Sequence, residues 1–287
     1  MSGNDSRGGF LCTDDERLLV SRALELSLRG ENDAVASSFL TPREQRIVFE
    51  AVRREGSSHR LFLWGGYKGG ERRKAIFLPT WLCSEAVSEA SLYSCEREED
   101  YLKCLSDFGM LSVLGEHISV VRISGSGYTE LSHRDWLGSL MGLGLRRSVI
   151  GDIVTEGSSC TVFCEETAAS YITETLRKVG RDTVKPSLIE TDIELSVNRR
   201  FEDVVTTVQT PRLDGVVRAL CNISRDEAAG LVERGDCEIN YFCEKETDKR
   251  LAAGDILTVR GFGKFIIESA EDMTRRGRIR LIAKKYK

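Results

Sequence analysis

Between residues 118 and 193 the apolar pattern alternates between a period of two and a period near 3.6. The order of those changes constrains the chain more than any other feature. Ile118–Ile123 alternates as a strand, and His133–Leu145 is apolar on a helical period through Trp136, Leu137, Leu140 and Met141. Ile150–Thr155 and Thr161–Cys164 read as two strands with EGSS as their turn. Ala168–Val179 reads as a helix with Ile172, Leu176 and Val179 inward, and Ser187–Ile193 as a last strand. The order β-α-β-β-α-β is the split arrangement of ferredoxin-like, RRM-like domains.

The flanking regions follow other rules. Thr13-Asp14-Asp15-Glu16 fits a capping box, and Leu18, Leu19, Ala23 and Leu26 continue at helical spacing until Gly30. Thr41-Pro42-Arg43-Glu44 repeats the signal, with proline in the favoured first position and a helix to about Arg54. Leu61–Trp64 and Ala75–Leu78 then read as strands around the loop GGYKGGERRK. Beyond Pro211, Asp214–Asn222 is a short helix, and Ser224 caps a second one that Gly235 stops. Cys237–Asn240, Ile256–Arg260, Phe265–Ile267 and Arg278–Ile282 read as strands. The expected class is therefore α+β in three parts: an N-terminal α/β region over 1–110, a ferredoxin-like domain over 111–208, and an αα-plus-β module with a basic tail over 209–287.

Charge is divided unevenly along the chain. The 287 residues carry 41 basic and 45 acidic side chains, a net of −4. Residues 211–287 hold 16 basic against 13 acidic, which leaves 25 against 32 for residues 1–210. A positive C-terminal part on an acidic body suggests a placed anion-binding surface. No apolar run approaches the ~18 residues of a membrane span. The start MSGNDSRGGFLC has no apolar h-region, and the nine cysteines are irregularly spaced, so the expectation is a cytoplasmic chain with reduced thiols.

The string Arg212-Leu213-Asp214, then Ser224-Arg225, Ala228, Leu231, Gly235, Ile239-Asn240, Gly254-Asp255 and Arg260-Gly-Phe-Gly-Lys264-Phe265, resembles the ribosomal-protein-S-four-type RNA-binding domain. The blocks GGYKGGER and Leu131–Asp152 resemble the YlmH family, which extends the likeness over about residues 40–287. The resemblance implies a noncatalytic RNA-binding protein on the large ribosomal subunit, with ribosomal RNA or tRNA as partner, handling stalled peptidyl-tRNA complexes. It implies neither a cofactor nor a small-molecule substrate.

The residue types suit that partner. Arginine offers a planar fork for phosphates and a face for stacking on unpaired bases. Arg212 and Arg225 stand at helix beginnings, where backbone N–H groups also favour an anion. Asp214 is expected to be a cap or an orienting partner of an arginine, not an RNA contact. The RNA-contacting set expected from these readings is Arg212, Arg225, Arg260, Lys264, Lys245, Arg134, Arg275 and Arg276. Tyr67, Lys68, Arg72 and Arg73 of the glycine-rich loop are expected as an accessory contact, against an ordinary exposed hairpin. Gly138, Gly142 and Gly144 are expected to permit close packing against the sheet, and Gly125-Ser126-Gly127 is expected to be a simple loop.

Other chemistry finds less support. Glu130 stands where a dinucleotide fingerprint needs its third glycine, and GGYKGGERRK lacks a Walker ending. After Asp135 the kinase catalytic-loop asparagine is replaced by Leu140. Cys160 and Cys164 have no second pair or nearby histidine to complete a zinc set, and His59, His117 and His133 are scattered. An RNA-modifying enzyme of pseudouridine synthase or methyltransferase type is the catalytic alternative; Gly277-Arg278-Ile279-Arg280 lacks the acid of a G-R-L-D motif. A cell-division-linked interaction protein is the third reading.

Overall fold

In the computed structural model the described residues are 13–67, 69–83, 110–189, 201–270 and 277–286. The chain divides into two compact units, residues 1–197 and 198–287.

The first unit opens with α1, Asp14–Arg29, and α2, Pro42–Arg54. Both begin as the sequence expects. The Thr13 and Thr41 hydroxyls accept from the backbone N–H groups of Glu16 and Glu44, whose carboxylates reach back to the cap residue. Between them lies β1, Val35–Leu40, which pairs with β3, Arg73–Phe77; β3 pairs in turn with β2, Leu61–Trp64. The sheet order is β1-β3-β2 and all pairs are antiparallel. Strand β1 escapes a periodicity reading because Ser37 and Ser38 interrupt its apolar pattern and its register shifts between Ala36 and Phe39. On one face of this sheet, Ala23, Val48, Phe49 and Val52 of the helices pack with Leu61, Leu63, Ala75 and Phe77.

After α3, Met110–Gly115, come β4, Ser119–Ser124; α4, His133–Gly142; β5, Ile150–Glu156; β6, Ser159–Cys164; and α5, Glu166–Thr175. A two-residue ribbon, β7 Lys178–Val179 with β8 Asp182–Thr183, precedes β9, Lys185–Ile189. The sheet runs β5-β6-β4-β9, all antiparallel, which is the expected ferredoxin-like order. Trp136 and Leu140 of α4 and Ala168, Ala169 and Ile172 of α5 pack on Val121, Ile123, Val162 and Ile153.

Two details depart from expectation. Helix α5 stops at Thr175, before the expected Val179. There the Arg177 guanidinium donates to the carbonyls of Thr173, Glu174 and Leu176, and Gly180, at φ +58°, turns the β7–β8 ribbon. Gly138, Gly142 and Gly144 face open space and pack against nothing. Gly144 has a conformational reason, since its φ of +83° ends α4.

The second unit holds β10, Phe201–Val208; α6, Leu213–Cys221; α7, Arg225–Glu233; β11, Cys237–Ile239; β12, Phe242–Cys243; β13, Ile256–Val259; β14, Gly263–Ser269; and β15, Ile279–Tyr286. Its sheet order is β10-β15-β14-β13-β11-β12. Leu213, Val216 and Val217 of α6 and Ala228, Leu231 and Val232 of α7 pack on Leu257, Val259, Phe265, Ile267, Leu281 and Ala283. The basic end of the chain is therefore no loose tail as far as Tyr286. Leu281 and Ala283 are buried, the strand alternates, and β15 is paired on both sides.

Among the described residues no helix is long and apolar enough to cross a membrane. The described cysteines are free thiols, and burial pushes those of Cys160, Cys164 and Cys237 up to about 12.

Candidate nucleic-acid interface

The two helices of the second unit place arginines around two carboxylates. Ser224 caps α7 by accepting from the Glu227 N–H, which leaves Arg225 at the first helical position; Arg212 is the cap residue of α6. Asp214, 7% exposed, lies between them. Its Oδ1 accepts from Arg212 Nε at 3.2 Å and from the Gly215 N–H at 2.8 Å, while Oδ2 accepts from Arg225 Nη2 at 3.4 Å. The Arg225 side chain remains 71% exposed, so most of its fork still faces water. Asp214 therefore orients both arginines, one of the two roles expected of it, and also accepts from the backbone at the start of α6.

A second pair sits at the other end of α7. Asp236 accepts from Arg234 Nε at 3.2 Å, and Arg260 Nη1 lies 3.7 Å from its other oxygen. The Arg260 N–H also donates to the Asp236 carbonyl. With nine residues, α7 is about 13 Å long, and the two pairs lie at its opposite ends. Lys245 joins this second group: its Cε passes close to Gly235, which adopts φ +78° at the turn after α7. The loop carrying Lys245 is tied to the start of α6, because Leu213 and Asp214 donate to the Lys249 and Thr247 carbonyls and Leu251 donates to that of Pro211. Arg234 is not in the set expected from the sequence; its signal there is a cation two residues before Asp236, flanking the Gly235 turn.

Lys264 stands apart from both pairs. Its ammonium lies 4.9 Å from the ring centres of both Tyr241 and Tyr286, a double cation–π setting that holds the charge on the sheet. Gly261 and Gly263, at φ +84° and +118°, are needed by the backbone turn between β13 and β14. Arg275, Arg276 and Lys68 lie outside the described residues.

In the first unit, Arg134 is exposed in the first turn of α4. The Ser132 cap beside it holds the Asp135 carboxyl below its ordinary range through hydrogen bonds. The accessory contact expected of the glycine-rich loop is corrected for Tyr67 and Arg72. Tyr67 is only 4% exposed, stacks on Phe163 with ring centres 4.5 Å apart, and donates its hydroxyl to Asp152 at 2.7 Å. The Arg72 guanidinium donates to the carbonyls of Phe39, Arg147 and Ile150, and burial lowers its pKa. Arg73 is half-buried and donates to the Gly70 carbonyl. The loop clasps the ferredoxin-like sheet; it is not a free hairpin. The physical reason is Asp152, which also accepts from the backbone N–H groups of Glu71 and Arg72 at 2.6 and 3.0 Å.

Comparison with known proteins shows what the chain is similar to. Residues 117–193 match the family described as "Putative RNA-binding domain in YlmH". The chain is 27% identical over 277 residues to a Bacillus subtilis (strain 168) protein named ribosome-associated protein quality control protein P2, covering 95% of this chain and 96% of that one. A solved structure, cell division protein ylmH from Streptococcus pneumoniae, aligns with a TM-score of 0.42 at 15% identity, over 62% of this chain and 93% of that one.

Proposed function

We propose that this chain, whose YlmH-family resemblance is borne out along nearly its whole length, is a noncatalytic RNA-binding protein of the large ribosomal subunit. It contacts ribosomal RNA or tRNA there and serves the quality control of stalled peptidyl-tRNA complexes. One observation carries the reading: two arginine pairs, each set by its own carboxylate, flank α7 in a module whose sequence resembles the S-four-type domain. Each aspartate fixes a fork in place while leaving donors in water, so a phosphate meets oriented cations and little ordering entropy is lost on binding. The name of the Bacillus relative supports the ribosomal setting.

Sedimentation with separated ribosomal subunits, paired with nucleoside mass spectrometry of RNA from deletion and wild-type cells, tests this. Cosedimentation with large subunits and an unchanged nucleoside profile is the expected result. A modification missing in the deletion strain and restored by the purified protein would establish an enzyme instead.

A further inference from the structure

RNA-binding domains of ferredoxin-like topology commonly stack bases on aromatic residues of the open sheet face. Here that face is divided by its register. Val120, Phe163 and Ile189 share one cross-strand row, and Phe39 and Tyr67 of the same chain pack over it. Phe163, the aromatic best placed for a base, is fully buried under Tyr67. The rows toward the other end are polar: Arg122 lies opposite Thr161 and Ser187, and Ser124 opposite Ser159 and Lys185. Ser124 and Lys185 are exposed.

The chain leaves that open end through the loop 125–130, which is pinned at its root. A Cβ on Gly125 would come within 2.3 Å of the Ser158 carbonyl oxygen and 2.8 Å of Asp182 Oδ2. The same Asp182 oxygen accepts from the Ser126 N–H at 3.1 Å, and Ser126 Oγ accepts from the Tyr128 N–H. The loop then presents Tyr128, 95% exposed, the barest large hydrophobic side chain among the described residues. Arg181, next to the anchoring Asp182, and Lys185 are both exposed and make no ion pair among the described residues. The root of the loop thus meets the neighbour of Arg181 through Asp182 and lies next in chain to Ser124, the strand partner of Lys185; an aromatic ring held in water on such a loop has no packing reason.

We propose that Tyr128, Arg181 and Lys185 form a second RNA contact, one that takes single-stranded RNA at the uncovered end of the ferredoxin-like sheet. Tyr128 stacks on a base; Arg181 and Lys185 take the neighbouring phosphates. Glu130, two residues beyond the ring, repels a phosphate there and so favours a base over Tyr128. The site rests on the reading of this chain as an RNA-binding protein, and it differs in kind from the arginine pairs around α7 because a lone aromatic accepts any unpaired base.

The test uses the full chain and an oligouridylate carrying photoreactive thiouridine. The expected crosslink falls on the peptide containing Tyr128. Tyr128→Ala should weaken oligouridylate binding by about fivefold to a hundredfold, the loss of one stacked base. Tyr128→Phe should bind as the wild type does, because the ring stacks and the hydroxyl does not. Arg181→Ala and Lys185→Ala should each lower the slope of log affinity against log salt by about 0.7. Thermal melts should not change, since none of the three side chains is packed. Oligouridylate affinity unchanged in Tyr128→Ala, with crosslinks confined to residues 201–286, would overturn the site while leaving the RNA-binding reading intact. Failure of the wild type to bind any ribosomal RNA or oligouridylate would remove both. Loss of subunit association in Tyr128→Ala with RNA affinity unchanged would assign the loop to a protein partner and overturn the proposal.

Discussion

A single side chain, Asp214, sets the geometry of the first arginine pair. It is a buried anion that accepts from Arg212, Arg225 and the Gly215 N–H, and it sits in the first turn of α6, where a negative charge suits the helix dipole. Electrostatics and geometry make opposite predictions for its replacement. Asp214→Asn removes a negative charge from a cationic surface, which by charge alone should tighten RNA. If orientation dominates, freed arginines must be ordered on binding, and affinity should fall by about 1–2 kcal/mol despite the more favourable net charge. The fold should lose about 1 kcal/mol, since an amide oxygen still accepts from Gly215 while the charge-assisted bonds weaken. Filter binding of ribosomal RNA fragments alongside urea melts separates the two effects; tighter binding would refute orientation. The importance of Arg212, Asp214 and Arg225 could be read from their pattern. That one carboxylate holds both arginines could not, because residues eleven apart in sequence are joined only by the turn between α6 and α7.

At the scale of elements, Asp152 clasps the glycine-rich loop to β5. Asp152 accepts from Tyr67, Glu71 and Arg72, and behind it the Arg147 guanidinium, pressed by burial and by Arg72, has its pKa brought down to about 10. Nearby, a Cβ on Gly151 would come within 2.6 Å of the Phe39 ring, and one on Gly66 within 2.5 Å of Phe163. Asp152→Ala should therefore destabilise the protein by about 2–3 kcal/mol, leaving three donors without their acceptor, and Tyr67→Phe by about 1 kcal/mol. Urea denaturation followed by tryptophan fluorescence measures both. Equal, negligible losses would mean that water replaces the carboxylate and that apolar packing alone joins the two sheets. The motifs GGYKGGER and Leu131–Asp152 stood out in the sequence as separate blocks, and a loop rich in glycine, tyrosine and cations fits RNA on composition. Only the fold brings Asp152 under that loop and turns its tyrosine inward.

For the whole molecule, the C-terminal unit begins upstream of the proline that marks a boundary in the sequence. Strand β10 pairs with β15 from Phe201↔Tyr286 to Val208↔Ile279 and buries Val208. A fragment of residues 198–287 should fold cooperatively and keep its RNA affinity. One starting at residue 209 should be less stable by on the order of 2–4 kcal/mol, having lost a ladder of backbone hydrogen bonds and one buried valine. Thermal melts of the two fragments decide; equal stability would show β10 to be dispensable. The sequence by itself determined what is encoded locally. Capping boxes at Thr13 and Thr41, the proline after Thr41, the cap at Ser132 and the alternation of β4 and β6 each act within a few residues, so helix starts and the β-α-β-β-α-β order follow from them. The tertiary structure decided what depends on a distant partner. Strands β1 and β10 are edge strands with mixed patterns that become strands by pairing with β3 and β15, and Tyr67 became core because Phe163 and Asp152 wait across the sheet boundary. An edge strand or a buried hydroxyl carries little local signal, since its free energy lies in hydrogen bonds to residues far away in the chain.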